Sequence, residues 1–218
     1  DQTNNGNWII VHRSKVPEGA TVLPAVWAMK RKRRIKTREV YKWKARLNLD
    51  GSKQTKGKDY WDSYAPVAAW STIRLILTLA ILNRWYTKQI DFVLAFPQAP
   101  VEIDDLYMKI PRGFEIKGTE KDEYLLHIRK NIYGAVQAGR VWNKHLVDRL
   151  TSIGFVTSKI DDSVFYKGNA VYILYTDDSI LAGPDEQELA DIIKEMQSTG
   201  LELTEEGDIS DEERLVCE

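Results

Sequence analysis

An α+β fold is predicted, with helices packed on one face of a mainly antiparallel sheet. Two observations predict it. From residue 71 onward, stretches of helical and of period-two patterning succeed one another as helix, strand, strands, helix, hairpin, helix. The strands at 163–167 and 170–175 are joined by the hairpin dipeptide Gly168-Asn169, a link that only antiparallel neighbours can use.

Element by element, residues 8–11 read as a short strand after a polar entry. Residues 22–31 and 40–49 read as two strands of a hairpin joined near 35–38. In the second, Tyr41, Trp43, Ala45 and Leu47 alternate with Lys42, Lys44, Arg46 and Asn48, giving one basic face. Residues 50–70 form a loop. Ser71 is placed to cap a helix that runs to about Arg84 and is apolar on nearly every side, hence buried. Residues 86–92 form a buried strand containing Asp91, and Pro97 and Pro100 break regular structure beyond it. Strands are predicted at 106–110 and 124–128. A helix at 141–153 aligns Trp142, Leu146, Leu150 and Ile153, and Gly154 ends it. Residues 163–167 and 170–175 form a hairpin. Thr176-Asp177-Asp178 interrupts the strand before Ile180–Ala182 resume it. Asp185 caps a helix to about Gln197, with Glu188 completing a capping box.

The chain has 218 residues, 43% apolar and 29% charged, which provides a globular core and excludes wholesale disorder. The apolar run at 75–82, broken by Thr78, is too short to span a bilayer, so no membrane partner is expected. Residues 1–7 are polar and lack an initiator Met, so the chain reads as an excerpt. Cys217 is the single cysteine, which excludes an internal disulfide framework and a Cys-based zinc site. The net charge of −1 conceals an asymmetry: Lys30 to Arg46 holds ten Lys or Arg against Glu39, and Leu201 to Glu218 holds eight acids against Arg214. The basic stretch is the footprint of a phosphate-rich partner; the plain alternative is a solvated face or a localisation signal.

The chemistry sits in carboxylates. Asp177 and Asp178 are adjacent at a tight turn between apolar strands, where two like charges call for a cation. Oxygen donors of this kind suit Mg²⁺. The plain alternative is a solvated Asp-Asp turn. Asp91 enters an apolar run, where a carboxylate needs a partner. Three carboxylates at strand ends of one sheet could hold two metal ions that clamp an in-line displacement at phosphorus.

These residues carry a family resemblance. Tyr175-Thr176-Asp177-Asp178 resembles the Tyr-x-Asp-Asp signature of reverse transcriptases. Lys44-Ala45-Arg46-Leu47, Tyr64-Ala65-Pro66-Val67, Gln89-Ile90-Asp91 with Ala95-Phe96, and Ile132-Tyr133-Gly134 with Gln137-Ala138, Arg140 and Trp142 resemble successive blocks of copia-type retrotransposon polymerases. The blocks stand in family order from about residue 8 to 207. The resemblance implies the fingers and palm of a right-hand polymerase: a fingers-like region with a basic hairpin at 1–85, and a palm at 86–207 with a fingers segment inserted at about 97–140. It implies that Asp91, Asp177 and Asp178, with the Phe92 backbone carbonyl, bind two Mg²⁺ or Mn²⁺ ions. Lys44 and Arg46 would hold the triphosphate of a dNTP. Ala95, Phe96, Gln137 and Arg140 would line the nucleotide site, with Phe96 as the gate against a 2′-hydroxyl. The plain alternatives are a core aromatic for Phe96 and a helix-end polar residue for Gln137. Trp142 and Tyr133 read as packing residues, and His12, His127 and His145 receive no role.

The implied activity is RNA-directed DNA synthesis on an RNA or DNA template with a primer, alongside other Pol domains, and the implied location is intracellular, in a cytoplasmic retrotransposon particle or the nucleus. Several residues depart from the family pattern. Leu94 stands where relatives carry a small or polar residue, Gln98-Ala99 stands for Asn-Gly, and Gly139 for a proline. Residues 208–218 read as an aberrant acidic tail, by truncation, frameshift or misjoin, with no thumb after it. A rival expectation is therefore an inactive polymerase remnant that only binds nucleic acid. A carboxylate hydrolase using Asp91 and Asp177 ranks last, because it explains neither the basic hairpin nor the ordered blocks.

Overall fold

The period-two segments form strands and the stripe at Trp142 forms a helix, in a computed structural model that describes residues 6–34, 36–114, 116 and 121–207. In chain order, the first half holds β1 (Trp8–His12), β2 (Thr21–Leu23), β3 (Ala25–Arg33), β4 (Val40–Leu49), α1 (Trp70–Asn83), β5 (Tyr86–Phe92), α2 (Ala95–Gln98) and β6 (Leu106–Lys109). The second half holds β7 (Tyr124–Ile128), α3 (Ala138–Ser152), β8 (Val156–Thr157), β9 (Val164–Lys167), β10 (Ala170–Tyr175), β11 (Asp178–Gly183), α4 (Glu186–Ser198) and β12 (Leu203–Gly207). The α+β class is as the patterning predicts. The acidic tail at 208–218 lies outside the described residues.

Packing defines two units, residues 1–63 with 99–141 and residues 64–98 with 142–218. Thus α1, grouped by sequence with residues 1–85, packs within the second unit. The first unit contains a four-stranded sheet, β1-β7-β6-β2, and the two-stranded hairpin β3-β4. The strand predicted at 22–31 is in fact two. Pro24 has no N–H to donate to a ladder, and its carbonyl instead accepts from Asp50 N at 3.0 Å. The piece before it, β2, pairs parallel with β6; the piece after it, β3, pairs antiparallel with β4. The apolar face expected on β4 is buried only at its base, at Leu47 and Leu49; Tyr41 and Trp43 are exposed, Trp43 by 74%.

The second unit is built on an antiparallel six-stranded sheet of order β12-β5-β11-β10-β9-β8. Here helices cover both faces, which corrects the one-face expectation. Side chains alternate across a strand, so Val171 and Ile173 share one face and Ala170, Tyr172 and Leu174 the other. On the first face, α1 sets Ile73 and Ile76 against Val164, Val171 and Ile173. On the second, Phe155 packs on Tyr172, α3 sets Trp142 edge-on to Phe92 at 5.0 Å, and Leu189 of α4 lies over Gly183. Trp142, Leu146 and Leu150 are all buried, as their stripe predicts.

The buried reading of α1 is also corrected. Only Ile76 and Ala80 are buried, while Leu75, Ile81 and Leu82 are 59%, 78% and 74% exposed. An all-round apolar helix hides only the side its sheet covers. Nor does Ser71 cap it. The N-cap is Ala69, without a side-chain bond of its own. Asp161, 92 residues away, accepts the Ala69 N–H at 3.1 Å and also the Ser163 N–H at 3.0 Å. Burial raises the Asp161 pKa, but hydrogen bonds from the Thr72 side chain and from those two N–H groups outweigh it and hold the pKa below its ordinary 3.8. In consequence this carboxylate stabilises the fold at and above about pH 4 and loses that contribution as pH falls below 3.8 through its folded value. Asp161→Ala is expected to cost about 1 kcal/mol at pH 7, and the difference from the parent in urea titrations should shrink as the pH falls below 3.8.

Three smaller differences have local causes. Pro97 does not end structure but sits inside the one-turn α2, where its missing N–H would have had no helical partner. Asp185 caps α4 through the Gln187 and Glu188 N–H groups, but Glu188 turns away to accept Asn169 N–H at 3.2 Å instead of closing a capping box. Strand β12, which the polar sequence 203–207 does not announce, forms because β5 offers an open edge; Lys88 on β5 pairs with Glu205 at 2.8 Å.

Candidate active site

Antiparallel registration sets the carboxylates. Across the neighbouring strands β5 and β11, Asp91 lies directly opposite Asp178, and Tyr175 lies opposite Asp178 across the β10–β11 hairpin. Directly opposed residues hold their Cβ atoms about 4.5–5.5 Å apart. Asp91 and Asp178 therefore stand on one face of the sheet. Asp177 occupies the two-residue turn beside them and is half-buried, as is Asp91, while Asp178 is exposed. Among the described residues, no three His, Cys, Asp or Glu side chains converge closely enough to hold a metal ion. The structure brings Asp91 and Asp178 together as a pair, and Asp177 reaches that pair through the backbone turn. Carboxylate oxygens are the donor type of a hard divalent cation that retains several waters, and here two of them are paired across the strands while the third stands in the turn without converging on the same point.

The turn is strained. Thr176 has φ +61°, a left-handed value that costs a β-branched residue about 1–2 kcal/mol, and Asp177 does not share it. Positive φ at the first central residue alone is the pattern of a type II′ hairpin turn, which prefers glycine there. Thr176→Gly is expected to raise stability by about 1 kcal/mol in denaturant titrations. The turn is also tethered: the indole N–H of buried Trp142 donates to the Thr176 carbonyl at 3.1 Å. Beneath the pair, the Ser179 hydroxyl donates to the Ile90 carbonyl at 3.2 Å.

Past β5 the chain turns at Leu94, with φ +51°, into α2. This conformation gives a physical reason for a small or polar residue at that position. Ala95 is fully buried, and the Phe96 ring is half-buried. Gln98 stitches the turn, donating to the Val93 and Glu202 carbonyls at 2.8 and 2.7 Å and accepting the Glu202 N–H at 2.8 Å.

The remaining predicted residues lie in the first unit. Pairing of Lys30 with Lys44, Lys32 with Lys42, and Ala28 with Arg46 puts these cations on one face of the β3–β4 hairpin. The Arg46 guanidinium lies 4.2 Å from the Tyr133 ring centre. The opposite face carries Met29, Arg31 and Trp43, with Arg31 over the Trp43 ring at 5.7 Å. Gln137 is 2% exposed and accepts from Gln54 Nε2 at 3.1 Å. Arg140 is paired with Glu102 and donates through Nε to the Asp62 carbonyl at 3.0 Å. The structure thus gives Gln137 and Arg140 internal partners within their own unit.

Sequence reasoning missed what locks that unit. Gly134, at φ +89°, lies so close to the base of β4 that an added Cβ would overlap the Leu49 carbonyl oxygen; a Cβ on Gly51 would overlap the Gly134 carbonyl oxygen. The Leu49 N–H donates to the Tyr133 carbonyl at 2.8 Å in the same contact. The Asp50-Gly51 turn and the Tyr133-Gly134 pair were the signals, but nothing local says that they meet.

These aspartates stand on an antiparallel sheet in a chain that matches a known family. The model of the Reverse transcriptase (RNA-dependent DNA polymerase) family covers residues 5–212, and the chain belongs to that family. It is 35% identical over 188 residues to the Retrovirus-related Pol polyprotein from transposon RE1 of Arabidopsis thaliana, a match covering 84% of this chain and 12% of that protein. To the corresponding polyprotein from transposon TNT 1-94 of Nicotiana tabacum it is 31% identical, over 83% of this chain and 14% of that protein. The resemblance to copia-type retrotransposon polymerases is borne out. The chain spans 12–14% of the length of these relatives.

Proposed function

We propose that this chain carries the fingers and palm of an RNA-directed DNA polymerase and performs nucleotidyl transfer. The primer 3′-hydroxyl attacks the α-phosphorus of a dNTP, and pyrophosphate leaves. The observation that carries this reading is the registration of Asp91 opposite Asp178, with Asp177 in the adjoining turn, in a chain of this family. Asp91 and Asp177 would hold two divalent ions, with Asp178 and the Phe92 carbonyl beside them. When bound, such ions lower the pKa of the attacking hydroxyl and neutralise charge on the phosphates. The chain's own groups position: Lys44 and Arg46 present cations for the triphosphate, and Arg does so through a fork that matches two phosphate oxygens. Ala95 and Phe96 would underlie the incoming sugar. Gln137 and Arg140 are proposed to shape the nucleotide site through the internal contacts they make.

Primer extension on an RNA template tests the reading. Template-directed dNTP incorporation in Mg²⁺ or Mn²⁺ that EDTA stops supports it. A second reading, nucleic-acid binding without chemistry, is favoured by the hairpin itself: one face carries cations for phosphates and the other exposes Trp43 and Met29, 74% and 70%, to unpaired bases. Salt-sensitive gel-shift binding with no incorporation in either metal would establish that reading instead.

A further inference from the structure

We propose that Trp142 is a positioning residue for the carboxylates, holding the turn that carries Asp177 and the strand end that carries Asp91 through one side chain. The inference rests on the polymerase reading above and adds to it a residue whose apolar stripe alone reads as packing.

Trp142 is 1% exposed, on the face of the sheet opposite the carboxylates. A buried indole needs a partner for its N–H. The partner here is not a ladder or helix carbonyl but that of Thr176, the strained residue immediately before Asp177. The same ring meets Phe92, the residue immediately after Asp91, edge-on at 5.0 Å between centroids. One side chain therefore touches the chain neighbours of both carboxylates. It stands on α3, a helix of 15 residues whose own stripe is packed by buried Leu146 and Leu150. A two-residue turn held at an unfavourable φ persists only when its surroundings over-determine it. The indole bond does so at the point where Asp177 must be aimed. Phe92 and Asp91 alternate across β5, so anchoring the Phe92 ring on the α3 face fixes Asp91 on the opposite one. Such outer supports of metal-binding carboxylates are worth about 10–100-fold in metal affinity.

The test replaces the N–H and keeps the shape. Trp142 is exchanged in the full chain for 3-benzothienylalanine, a bicyclic isostere without the donor, and in parallel Trp142→Phe is made. Amide hydrogen exchange at residues 175–178 and Mn²⁺ affinity by electron paramagnetic resonance are read, with Asp177→Asn as reference. The isostere is expected to speed exchange at the turn about ten-fold and to weaken Mn²⁺ binding about ten-fold. Thermal unfolding and far-UV dichroism should stay near the parent's. Unchanged exchange overturns the tether, and faster exchange with unchanged Mn²⁺ affinity overturns the positioning role. If the parent and Asp177→Asn bind Mn²⁺ alike, the metal site itself fails and the positioning role falls with it. That outcome is told apart from failure of the tether by the exchange rates. Should Trp142→Phe not fold, the isostere still decides.

Discussion

Asp91→Asn and Asp177→Asn are each expected to abolish Mg²⁺-dependent primer extension, lowering it by about 10³-fold or more, while the protein remains folded. Asparagine has nearly the shape of aspartate and lacks its charge. The substitution therefore removes what a divalent cation needs and little else. Stability moves the other way. Asp91 faces Asp178 across the strand pair, and like charges directly opposed are destabilising, so Asp91→Asn is expected to leave the unfolding midpoint unchanged or slightly higher. Loss of extension together with loss of fold would point to a structural role for the carboxylate. Extension equal to the parent's would remove the residue from the mechanism. Single-turnover extension and urea titration of the same preparations make the comparison.

The second large effect is on the fold of the first unit. Gly134→Ala is expected to destabilise by about 4 kcal/mol, at the upper end of single-substitution effects. Two causes add. The φ of +89° costs any L-residue about 1–2 kcal/mol, and the new methyl overlaps the Leu49 carbonyl, a backbone atom that cannot rotate away. The Leu49 N–H to Tyr133 carbonyl bond would open with it. Gly200 separates the causes, because its φ is +91° and nothing lies within 4 Å of an added Cβ. Gly200→Ala should cost only the conformational share, about 1–2 kcal/mol. Equal losses for the two variants in urea titration would show that the close approach at Gly134 carries no energy.

Local signals were the ones legible in the sequence. Gly168-Asn169 announces its hairpin because two turn residues between alternating strands leave few other conformations. The stripe Trp142, Leu146 and Leu150 announces α3 because its spacing matches the helix. Asp177-Asp178 stands out because adjacent charges between apolar strands require an explanation. The features that stayed hidden depend on partners distant along the chain. Pro24 is visible, but that β2 then pairs with β6 is not. Composition makes α1 look buried, yet the extent of its burial depends on how much sheet lies beneath it. Its cap comes from Asp161, which no local rule connects to Ala69. The bond from Trp142 to Thr176 spans 34 residues and uses the one polar atom of a side chain that the sequence marks as a packing residue. At the site, the turn and the strand aspartate were each readable, whereas their registration had to be seen.

The most direct test of the polymerase reading is a crystal structure of the chain with Mn²⁺, a dNTP and a primer–template, recorded at the manganese absorption edge. Anomalous peaks are expected within coordination distance of the Asp91 and Asp177 carboxylates, about 2.0–2.3 Å, shared with the nucleotide phosphates. Manganese bound elsewhere, with both carboxylates free of metal and the nucleotide remote from them, would contradict it.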